Sequence, residues 1–161
     1  MTATPTQARQ QRTARGHAHS EAPDPGSVSV TRWVAGGRFT ELIDDGDYDA
    51  QHVEVPAGFA TPVHLHTRYA EHFYVVAGSF KVWGAGTLRV IEPGESVAIP
   101  IGSAHALIAG DDGGKGLIVS RPSGFAKVVR ESGTETEDTF DLQRFVRAAI
   151  QAGDEILGPP A

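Results

Sequence analysis

Turn-forming residues interrupt this chain at intervals of about ten positions, a cadence that favours short strands over long helices. Gly78, Gly84 to Gly86, Pro93-Gly94, Ile101-Gly102 and Asp111 to Gly114 mark the breaks. The segments between them are strand-like. They run Val28 to Val34, Phe39 to Ile43, Gln51 to Val55, Pro62 to His66, Glu71 to Ala77 and Ser79 to Trp83. Further on come Thr87 to Ile91, Ser96 to Ile99, His105 to Ala109, Lys115 to Ser120 and Ala126 to Arg130. Nineteen glycines and ten prolines in 161 residues fit this punctuation. An all-β domain follows, closed as a barrel or stacked as a sandwich.

One stretch has a different period. Leu142, Phe145, Val146, Ala149 and Ile150 recur at helical spacing, which predicts a helix with one apolar stripe. Asp138 or Thr139 is expected to cap its start and Gly153 to end it. The expected organisation is a disordered tail over 1–27, a β-barrel over 28–135, a helical segment over 136–153 and a frayed end over 154–161. The first tail carries Arg9, Arg12, Arg15 and the pair His17 and His19, with no patterned residues around them.

Net charge is −6, from 14 basic and 20 acidic residues, and the folded part offers no basic face for nucleic acid. No apolar run has the length of a membrane span. Neither a nucleic-acid nor a membrane partner is expected, and a cytoplasmic location is. There are no cysteines, which rules out disulfides, thiolate metal ligands and thiolate nucleophiles. Any metal must be held by imidazole, carboxylate or water.

The segment Gly58 to Glu71 supplies such donors. Alternate residues of a strand share a face, so His64 and His66 point the same way and Leu65 the other. Four residues then bend the chain and return it to Glu71. Glu71, Phe73 and Val75 share one face of the next strand, and His72, Tyr74 and Val76 the opposite one. His52 reads as an exposed strand residue. His105 lies far along the chain, just after Pro100-Ile-Gly-Ser103. Three imidazoles and one carboxylate would leave part of a metal's coordination sphere open to substrate.

The spacing resembles the cupin family. Gly58, His64, His66, Glu71 and Gly78 match its first motif, and Gly94, Pro100, Gly102 and His105 its second; together these cover about a third of the chain. The second motif of the family usually ends in Asn, where this chain has Ala109. The resemblance implies a jelly-roll β-barrel with a C-terminal α-helix. It implies that His64, His66, Glu71 and His105 ligate one divalent ion, whether Fe, Mn, Ni, Co or Zn. The run Glu71 to Gly78, with Arg121 to Phe125, is similar to small cupins of the quercetin 2,3-dioxygenase type. That likeness implies a dioxygenase acting on a small enolic or aromatic substrate, with Glu71 as both ligand and base. Phe59, Tyr69, Phe73 and Trp83 are candidates for the substrate pocket. The alternatives are a non-oxidative cyclase, isomerase or decarboxylase, or a small-ligand binder without turnover. Cupins often pair through edge strands, so a homodimer is expected.

Overall fold

A computed structural model describes residues 29–159. The tail over 1–27, with His17 and His19, lies outside the described residues. Nine strands form one sheet: β1 (Thr31–Val34), β2 (Gly37–Asp44), β3 (Asp49–Val55), β4 (Val63–His66), β5 (Ala70–Gly84), β6 (Thr87–Ile91), β7 (Ser96–Ile99), β8 (His105–Arg121) and β9 (Asp154–Gly158). Every pairing is antiparallel. The order β1-β2-β3-β8-β4-β9 is extended by β5, which pairs β6, β7 and β8. The sheet curls around its apolar face, as a jelly roll does. Helix α1 spans Phe125–Ser132 and α2 spans Leu142–Ala152. Among the described residues no helix is long and apolar enough to cross a membrane.

Two expected breaks are bends inside long strands. Glu71 to Ala77 and Ser79 to Trp83 join as β5, and His105 to Ala109 and Lys115 to Ser120 join as β8. Their glycines belong to packing and bulges. Gly78 has φ +69, and a Cβ on it would lie 2.3 Å from the Gly113 carbonyl oxygen. The β5–β8 register shifts beside it, between Gly78 and Phe80. A Cβ on Gly114 or Gly116 would meet the ring of Phe80 or Phe73 at 2.3 or 2.5 Å. Glycine lets two long strands curve together and brings aromatic rings against bare backbone.

The core fills this concave side. Phe73, Val75, Phe80 and Ile91 are fully buried, and the Phe73 and Phe80 rings meet edge to face at 4.6 Å. Burying side chains of this size stabilises the fold by about 1.5–3 kcal/mol each. The parity read from β5 holds: Glu71, Phe73 and Val75 are buried, while His72, Tyr74 and Val76 are exposed.

Three elements near the C-terminus differ from expectation. Residues Ala126 to Arg130 are helical, as part of α1. Paired valines suggested a strand, but Phe125, Val128, Val129 and Ser132 also fall at helical spacing. Asp49 settles the choice by accepting the Gly124 N–H at 2.7 Å, at the helix start. Helix α2 starts at Leu142 and is capped by Asp141, which accepts the Arg144 N–H, so its start lies beyond Asp138 and Thr139. Its packed face is Phe145, Ala148, Ala149 and Ala152, so Leu142 and Ile150 stay exposed. Residues 154–158 form β9 against β4 instead of a frayed end.

Candidate metal centre

Strands β4 and β8 bring the histidines together. His64 and His105 are cross-strand partners. His66 follows two residues along β4, on the same face. The ring centroids are 4.3 Å apart for His64 and His105, 4.9 Å for His64 and His66, and 5.0 Å for His66 and His105. One ring nitrogen from each lies within 4.8 Å of the other two.

The other nitrogen of each ring is already engaged. His64 Nδ1 donates to the Pro62 carbonyl at 2.8 Å, and His105 Nδ1 to the Ser103 carbonyl at 3.0 Å. His66 Nδ1 donates to Asp154 Oδ1 at 2.8 Å. When Nδ1 carries the only ring proton, which for His66 means releasing its second proton as the ion binds, each Nε2 has a lone pair to donate. His66 Nε2 is buried and has no hydrogen-bond partner. Such an orphaned atom costs about 1–3 kcal/mol unless something meets it, and a shared cation fits three converging Nε2 donors.

Glu71, at the start of β5, reaches the same place. Its Oε2 lies 3.4 Å from His66 Nε2, close enough for charge attraction but not aligned as a hydrogen bond. The motif carboxylate therefore sits at the edge of the imidazole cluster. Burial opposes its ionisation, but His66 and the other two histidines hold its pKa below the ordinary value. His66 is squeezed between two carboxylates. Burial alone would depress its pKa, yet Asp154 and Glu71 raise it to about 9. His105 goes the other way: burial, then the charge of His64, pushes it down to about 4. His64 is also lowered, mainly by burial.

A cavity of about 460 Å³ opens from these side chains into the barrel. Glu71, His64, His66 and His105 line one end. Phe39, Phe59, Leu107, Phe125 and Phe145 line the rest. Among the described residues no lysine or arginine faces it. Of the four aromatic residues expected in the pocket, Phe59 is there. Tyr69 is 1% exposed, stacked on His66 and bonded to Asp154. Phe73 is core beneath the cavity, and Trp83 lies on the other face of β5 from buried Val82. Strand parity excludes Trp83, and close packing excludes Tyr69 and Phe73. His52 is half-buried on the outer face of β3, 3.8 Å from Glu54.

Sequence reasoning missed several polar residues. Asp154 lay in the stretch expected to fray, though Asp154-Glu-Ile-Leu157 after the Gly153 helix stop was a strand signal. Asp49, Gln51 and Ser120 are fully buried on inward faces, with side-chain atoms that have no partner. The alternation of β3 placed Asp49 and Gln51 inward, but their polarity disguised it.

Residues 51–119 match the cupin domain model. A solved RmlC-like cupin from Shewanella frigidimarina aligns with a TM-score of 0.57 at 25% identity, covering 64% of this chain and 92% of that one. The chain carries a cupin domain. KdgF from a Halomonas species aligns over 54% of this chain and 79% of its own chain, with a TM-score of 0.52 and 25% identity. Mannose-1-phosphate guanylyltransferase from Escherichia coli is 39% identical over 68 residues, 42% of this chain and 14% of that protein. The chain thus spans only a small part of the length of the curated relatives it matches.

Proposed function

We propose that this cupin is a metal-dependent dioxygenase acting on a small enolic or aromatic substrate, similar in kind to quercetin 2,3-dioxygenase. The observation that carries the reading is the join between three Nε2 donors and an apolar chamber free of lysine and arginine. A phosphorylated sugar would find no lysine or arginine along the chamber wall, whereas an aromatic body would be matched by Phe39, Phe59 and Phe125. A chamber of about 460 Å³ is within the range of small-molecule sites.

His64, His66 and His105 would hold one divalent ion, with Glu71 as the fourth ligand of the family pattern. When bound, a redox-active ion would supply an electrophilic centre that favours an anionic oxygen and the electron-transfer chemistry that dioxygen needs. The remaining roles belong to this chain. Glu71, kept ionised by the histidines, accepts the proton of a substrate hydroxyl and leaves an enolate or catecholate. Phe59 and Phe125 grip the rings and exclude water. Helix α2 supplies Phe145 and Val146 as one wall.

Oxygen consumption tests this directly. Protein loaded in turn with iron, manganese, cobalt or nickel is offered flavonols and catechols. Uptake with at least one pair is the expected result. Absence of uptake across the whole matrix would sink the dioxygenase reading. Turnover without oxygen would then point to the cyclase, isomerase or decarboxylase class, in which the buried Glu71 base works with a zinc-like Lewis acid.

A further inference from the structure

We infer that Asp154, delivered by the C-terminal strand, is a positioning residue that orients His66 for the metal. The inference rests on the reading of the three histidines as a metal centre. Two of them are held by backbone carbonyls of their own segments, Pro62 for His64 and Ser103 for His105. His66 alone is held by a charged side chain, and that side chain is 88 positions away in sequence.

The geometry is over-determined. Strand β9 pairs β4 with His66 opposite Asp154. Asp154 Oδ1 accepts from His66 Nδ1 at 2.8 Å and from the Tyr69 hydroxyl at 2.8 Å. The Tyr69 ring stacks on the His66 ring with centroids 4.2 Å apart and planes 25° apart. Asp154 is 8% exposed, so little water competes for its carboxylate. The corner before it is clamped. The Thr67 N–H and hydroxyl both donate to the Gly153 carbonyl, at 2.8 and 2.7 Å, and Arg68 donates to the Gln151 carbonyl at 3.2 Å. Gly153 itself has φ +105, the left-handed turn that ends α2 and aims β9 at β4.

A carboxylate behind a ligand imidazole does two things a carbonyl does less well. It fixes the tautomer with Nε2 unprotonated when metal is bound, and it makes that nitrogen a stronger donor. Tyr69 narrows the ring's freedom from its face. The last segment of the chain is thus joined to the ligand sphere from behind, while α2 walls the chamber.

Metal affinity of the full chain tests the idea, read by chelator competition with cobalt and by the visible absorption of the cobalt-loaded protein. Asp154→Asn is expected to weaken binding by about 10–100-fold and to shift the cobalt bands. Tyr69→Phe, which leaves the Asp154–His66 bond in place, is expected to lose less than about tenfold, within the lower end of such effects. Should Asp154→Asn fail to fold, Asp154→Ser takes its place in the same assay. An Asp154 variant that binds as wild type with an unchanged spectrum would overturn the inference and leave the metal centre standing. So would a Tyr69→Phe loss equal to that of Asp154→Asn, since the effect would then not depend on the Asp154–His66 bond, which that variant keeps. Wild-type protein that holds no metal would instead remove the reading on which this rests.

Discussion

Raising the pH of metal-free protein should destabilise it through a single side chain. His66 is 1% exposed, with Asp154 Oδ1 at 2.8 Å on one nitrogen and Glu71 Oε2 at 3.4 Å from the other. Together they lift its pKa from 6.5 to about 9. Between those values the folded protein keeps a proton that the unfolded chain has released. The stabilisation is complete below 6.5 and is lost as pH rises through about 9. At about 1.36 kcal/mol per pH unit, the span corresponds to about 3 kcal/mol. For a chain of this length that is a fall of about 6–12 °C in Tm. His105 and His64 act in the opposite direction and in another window. Their folded values are depressed, so the native state resists protons that the unfolded chain takes up, and stability falls as pH drops from 6.5 towards about 4. Metal-free stability should therefore peak near pH 6.5. Urea unfolding of chelator-stripped protein across this range is the assay. His66→Asn should abolish the alkaline limb. A wild-type profile that is flat or rising from pH 6.5 to 9 would refute the account of His66 as a proton held between two carboxylates.

Two further outcomes follow from the packing. His66→Ala should strip most metal from the purified protein, whereas His72→Ala, on the exposed face of β5, should leave metal content unchanged; elemental analysis separates them, and equal loss would contradict the strand parity. Phe80→Ala should cost about 3–5 kcal/mol in chemical denaturation, because its ring is fully buried between Gly114 and Phe73.

Local pattern already determined much of this protein. A period of two in β3, β4 and β5 fixes which residues face inward, because successive side chains of a strand alternate whatever surrounds them. That rule put His64 and His66 on one side, Glu71 on the inner face and His72 outside. The motif spacing named His105 as their distant companion. What tertiary structure alone decided lies where a local signal has two readings. The glycines at 78 and 113–114 look like turns, and only the ring of Phe80 and the facing backbone make them bends within two continuous strands. Ala126 to Arg130 suits strand or helix in isolation, and Asp49 at the Gly124 N–H selects the helix. The aromatic residues near the motif differ in role because packing, not proximity in sequence, assigned Phe59 to the chamber and Tyr69 to the back of His66. Asp154 had no motif to announce it. Its meaning comes from an 88-residue return of the chain to β4, a long-range contact whose partner no window of neighbouring residues can encode.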